Sequence, residues 1–95
     1  MTTEVRKSMD GLRVYVDHQP GNMTRYVAMG AQIPGTRQWV VAFPEWRAAY
    51  YFSEGSCIGL GYLSEKIGCD RSMVDISEMA KAITMIVPNT TCEAL

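Results

Sequence analysis

The chain has one histidine, three cysteines and two phenylalanines in 95 residues, with no excess of either charge. Each shortage excludes something. His18 stands in the polar stretch "DHQPGN", with no recognisable orienting group or oxyanion pattern around it, so a Cys–His nucleophile pair has no support. Cys57, Cys69 and Cys92 form no C-x-x-C pair, whereas zinc sites are usually built from close pairs of ligands. An odd number of cysteines without such spacing fits a reduced compartment, and a cytoplasmic location is expected. No apolar segment follows the N-terminus, and no run approaches the roughly 18 residues of a membrane span, so no membrane partner is expected. The glycines of "GLGYLSEKIG" lack the preceding βα context and the Gly-Lys-Ser/Thr ending of a phosphate loop. No catalytic residue, metal or cofactor is expected, and the chain reads as a non-enzyme.

Charge is spread thinly. Formal net charge is −1, and Arg6, Lys7, Arg13, Arg25, Arg37 and Arg47 are dispersed through the first half among acids. Neither half is a basic patch able to neutralise many phosphates, which disfavours nucleic acid as a partner. With 47% hydrophobic and 20% charged residues, the composition is that of an ordinary globular domain. One domain over residues 1–95 is expected, its polar first ten residues frayed.

What is present is alternation, then helical spacing. In "LRVYVD", Leu12, Val14 and Val16 alternate with Arg13, Tyr15 and Asp17, the pattern of a half-buried strand. Thr24–Ile33 alternates again, with Val27, Met29 and Ile33 on one side and Gly30 marking a bulge. "RQWVVAF" makes a third strand, and Pro20-Gly21 and Pro34-Gly35 supply turns. Pro44 at a first helical position and Gly55 as a stop favour a short helix over 44–55, against the strand-like Tyr50-Tyr51-Phe52. Another helix is expected over Leu60–Ile67. A final one opens at Ser72 in the "SMVD" capping pattern, continues through Ile76, Met79, Ala80, Ile83 and Val87, and stops at Pro88. The expected class is α+β, an antiparallel three- to four-stranded meander followed by two or three helices, the last packed on the sheet.

The stretch "LSEKIGCDRSMVDISEMAKAI" resembles a helix-turn-helix, with Leu63 and Ile67 on a first helix, Gly68 in the turn and Val74 and Ile76 on a second. A DNA-binding regulator using residues 63–87 is therefore the alternative function. Its reading helix would expose Asp75, Glu78 and Lys81 after Arg71, half of them acids, and would offer no Asn or Gln for adenine.

The more suggestive set is the expected outer face of the sheet and the segment after it. Arg13, Tyr15, Arg25, Tyr26 and Arg37 alternate outward or sit at strand ends, and Trp46, Arg47, Tyr50 and Tyr51 follow. Trp, Tyr and Arg supply large contact area with a polar handle and dominate interface hot spots. Arg13, Tyr15, Arg25, Tyr26, Arg37, Trp46, Arg47 and Tyr50 are the expected protein-binding residues. The expected function is a small non-enzymatic module that binds another protein or complex and inhibits it by occupying its surface. Phage and mobile-element anti-defence proteins, such as anti-CRISPRs, are chains of this kind. A homodimer formed through a sheet edge is the second partner expectation.

Overall fold

The computed structural model describes residues 2–55 and 75–92. Five strands, β1 (Thr2–Lys7), β2 (Arg13–Gln19), β3 (Met23–Gln32), β4 (Gln38–Phe43) and β5 (Ala48–Ser53), form one antiparallel sheet in chain order. A 3-10 turn at Pro44–Trp46 separates β4 from β5, and one α-helix, α1 (Ile76–Ile86), follows. The expected class is thereby corrected. The described residues are mostly sheet, with five strands in place of three or four and one α-helix in place of two or three. The helix expected at Leu60–Ile67 falls outside the described residues, as does Ser72.

Two segments account for the extra strands. Thr2–Lys7, expected to fray, pairs along its whole length with β2, from Thr2 opposite His18 to Lys7 opposite Arg13. An edge strand covered on one face needs few apolar side chains, and Val5 is the one that packs on the core. The β1–β2 loop is closed by Ser8, whose backbone donates to Leu12 O and whose Oγ accepts from Leu12 N. The helix expected over 44–55 is a single 3-10 turn and then β5. Arg47 ends that turn in the left-handed region at φ 52, and Ala48–Ser53 returns along β4. As a strand, the segment places Tyr50 and Phe52 together on one face; a helix would scatter its three consecutive aromatics around its circumference.

A left-handed arginine costs about 1 kcal/mol relative to a residue at home there. Arg47→Gly is therefore expected to hold or slightly raise the thermal midpoint, while Arg47→Val lowers stability by about 1–2 kcal/mol. Scanning calorimetry reads both, and a glycine variant clearly less stable than the parent would contradict this backbone geometry.

α1 starts one turn later than Ser72 capping implies. Asp75 is the N-cap, its Oδ1 accepting from Glu78 N at 3.1 Å, so the Asp75-x-x-Glu78 spacing supplies the start. Its buried face, Met79, Ala80, Ala82, Ile83 and Ile86, packs over β2, β3 and β4 in a core with Tyr15, Val27, Ala28, Val41, Phe43 and Phe52. Met79, Ile83 and Ile86 each contribute roughly 1.5–3 kcal/mol by leaving water. The tail beyond α1 is held by Thr84 Oγ1, which accepts from Cys92 N, and by Thr90 Oγ1, which accepts from Gly55 N.

The bulge expected at Gly30 lies at Val27 instead. Tyr15 pairs with Ala28 and Val16 with Tyr26, so Val27 is an extra residue on β3. It turns both itself and Ala28 into the core. Gly30 has a different task. A methyl at that position would overlap Ile86 Cγ2, so the bare backbone lets α1 settle onto the sheet.

Candidate functional site: the open face of the sheet

Residues directly opposite one another in antiparallel strands share a face, so the register sorts the sheet into rows. Under α1 lie Thr3–Asp17–Arg25, Val5–Tyr15–Ala28, Lys7–Arg13–Gly30–Val41–Tyr50 and Gln32–Trp39–Phe52. On the opposite face lie Glu4–Val16–Tyr26, Arg6–Val14–Met29–Ala42–Ala49 and Ala31–Val40–Tyr51. The β2 faces read from alternation are thus reversed. Tyr15, expected outward, is buried at 2% exposure in the core beneath α1, while Val14 and Val16 share the face away from the helix, where Val16 is nonetheless fully buried, as its place in the alternation led one to expect.

The expected binding residues separate accordingly. Arg13 is half-buried on the helix side. It donates from Nη2 to Met85 O at 3.1 Å, at the last turn of α1, and its guanidinium lies 5.9 Å from the centre of the Trp39 ring. Arg25 is committed to carboxylates, donating to Glu78 at 2.7 and 2.8 Å and to both oxygens of Glu45, with Asp17 at 3.9 Å. These bonds raise the pKa of Arg25, Glu78 contributing most and Glu45 next, and they hold the Glu45 carboxyl below its ordinary value. Trp46 is buried against Phe43, ring centres 5.7 Å apart. Tyr50 is half-buried beside Phe52 on the helix side. Arg37 and Arg47 are exposed at strand ends, Arg37 3.7 Å from Glu54. Among the eight, only Tyr26 lies on the open face.

Among the described residues no element packs on that face. Its centre is apolar, formed by the half-buried Val14, Met29, Val40 and Ala42 around Val16, which is fully buried. Tyr26 and Tyr51 stand out of it at 53% and 71% exposure. The β1 side is polar: Glu4 Oε1 accepts from Arg6 Nε at 2.7 Å and lies 3.0 Å from His18 Nε2. Arg6, and after it His18, hold the Glu4 carboxyl below its ordinary value. Val14, Met29 and Val40 were missed from sequence, and Tyr51, noted beside Tyr50, was left out of the expected binding residues. The alternation of Tyr51 against Tyr50 and Phe52 was the available signal, once 48–53 is recognised as a strand.

Elsewhere the chemistry is sparse. A shallow cleft of about 380 Å³ lies between Asp10–Gly11 and Pro34–Thr36, floored by Trp39. The Asp10 carboxyl beside it is held down by the Ser8 hydroxyl. Of the helix-turn-helix stretch, the described part is α1 and its cap; the first helix and turn fall outside the described residues. On α1, Lys81 is the one exposed base, and Glu78 is occupied by Arg25. No described helix is long and apolar enough to cross a membrane. Comparison with protein-family models, curated proteins and solved structures found no match.

Proposed function

We propose that this chain is a small non-enzymatic protein-binding module that inhibits a partner by occupying its surface, as phage and mobile-element anti-defence proteins such as anti-CRISPRs do, and that the open face of the sheet is what it presents. One observation carries the reading: an apolar face with two exposed tyrosines, backed by a sheet whose other face is fixed by α1. A sheet surface with an apolar centre and a polar rim has the anatomy of a protein interface, and tyrosine brings contact area at small entropic cost. The fitting partner is a protein with a flat, apolar exposed patch. A cytoplasmic setting belongs to the proposal and is supported by the cysteine count alone.

With a purified complex in hand, Tyr26→Ala and Tyr51→Ala are each expected to weaken binding by more than about 1 kcal/mol in titration calorimetry, and Arg37→Ala by less than about 0.5. Loss of binding through Arg37 with both tyrosines indifferent would move the interface off this face.

A further inference from the structure

β1 is the first strand of the sheet, and no described strand pairs with its outer side. Such an edge offers unpaired N–H and C=O groups to another strand, and natural edges are usually protected by charge. The charges on β1 are of both signs. Glu4 and Arg6 lie two residues apart on the open face, with Val5 between them on the helix face.

Two copies of one edge strand pair antiparallel about a two-fold axis normal to the sheet. Side chains meet only within a face, so each allowed register is centred on one residue that opposes itself. Centred on Glu4, two carboxylates would face each other; centred on Arg6, two guanidinium groups would. Centred on Val5, Glu4 of each copy opposes Arg6 of the other, Thr3 opposes Lys7, and the two valines meet beneath. Opposite charges directly across a strand pair stabilise, and like charges destabilise.

We infer that the chain self-associates through β1 into a two-fold dimer in the Val5-centred register, the occupant of the edge being a second copy. Each Glu4 carboxylate then sits between its own Arg6 and that of the second copy. The two sheets become continuous, with both helices on one side and both open faces on the other. The surface of the proposed function is widened, although the dimer does not depend on that reading. A six-residue edge contact is far smaller than a standard interface, so the dimer is weak, with a dissociation constant on the order of tens of micromolar.

Sedimentation equilibrium of the whole chain at neutral pH, up to about 1 mM, tests this. The parent should be in monomer–dimer exchange that weakens with added salt. Glu4→Arg and Arg6→Glu each set like charges opposite each other and should weaken association at least tenfold. An equimolar mixture of the two variants sets a basic strand against an acidic one and should restore parental affinity. Glu4→Gln, which adds no repulsion, keeps the test open should a reversal fail to fold, and should weaken association two- to fivefold. A parent that stays monomeric throughout, or a reversal variant that dimerises as tightly as the parent, overturns the inference. A mixture no tighter than its separate components does the same.

Discussion

Gly30→Ala lowers stability by about 2–3 kcal/mol, a fall of roughly 10–20 °C in thermal midpoint for a domain of this size. In an ordinary strand the same change is stabilising, since alanine has less conformational freedom to lose. The sign is reversed here because the added methyl would overlap Ile86 Cγ2. That atom sits on a β-branched side chain at the end of α1 and has little room to rotate. The helix must lift, loosening Met79 and Ile83 from the core they share with the sheet. Ile86→Ala alone should cost about 2–4 kcal/mol through a cavity. Combined with Gly30→Ala it should cost at least about 1 kcal/mol less than the two separate losses added, because the new methyl then fills vacated space. Strict additivity, or a stabilised Gly30→Ala, would mean that α1 does not rest on this glycine.

The second large effect is at Arg25, which joins β3, the 3-10 turn and α1 through Glu45 and Glu78. Arg25→Met keeps the apolar stem but leaves Asp17, Glu45 and Glu78 facing one another without their shared cation. The expected loss near pH 7 is about 2 kcal/mol, set below that of a fully buried pair because these groups are partly solvated. The pH dependence has a definite sign. Glu45 is held below its ordinary value of 4.5 by Arg25. In the parent, its contribution is complete above that value and fades as pH falls through the depressed folded value. Without Arg25 there is no such contribution to lose, and acid relieves the repulsion. The gap between parent and variant should narrow from pH 7 towards pH 4 in denaturant titrations. A gap constant across that range would mean that Arg25 acts through packing alone.

These interactions also explain how far the sequence could be read. Alternation located β2, β3 and β4, because apolar side chains recur at every second position over part of each. It could not say which alternate set the helix covers. Both sets of β2 are suited to burial, Val14 and Val16 on one side, Tyr15 on the other. The choice was made by partners distant in sequence: Met85 O accepts from Arg13 and Glu78 accepts from Arg25. Those contacts turned two arginines that looked like binding residues into attachments for α1. The extra residue at Val27 then shifted the phase of β3, leaving both Val27 and Ala28 inside. β1 escaped notice because a strand covered on one face by a single core valine looks like a polar terminus. At 44–55, the Pro44 start signal was real but lasted one turn, and Arg47 in a left-handed conformation redirected the chain into β5.

Tyr26 and Tyr51 stand in one suggestive set in the sequence, but nothing there places them on one face, since they are 25 positions apart and on strands separated by β4. The rows that bring them onto one face are the basis of the functional proposal. The most direct test compares the parent with a Tyr26→Ser/Tyr51→Ser double variant of matched thermal midpoint, each used as tagged bait in cytosol from the source cell after nuclease treatment. A stoichiometric protein band retained by the parent and lost by the double variant is the predicted result. An equal band on both baits, or a parent bait stripped by nuclease, would contradict the open face as the working surface.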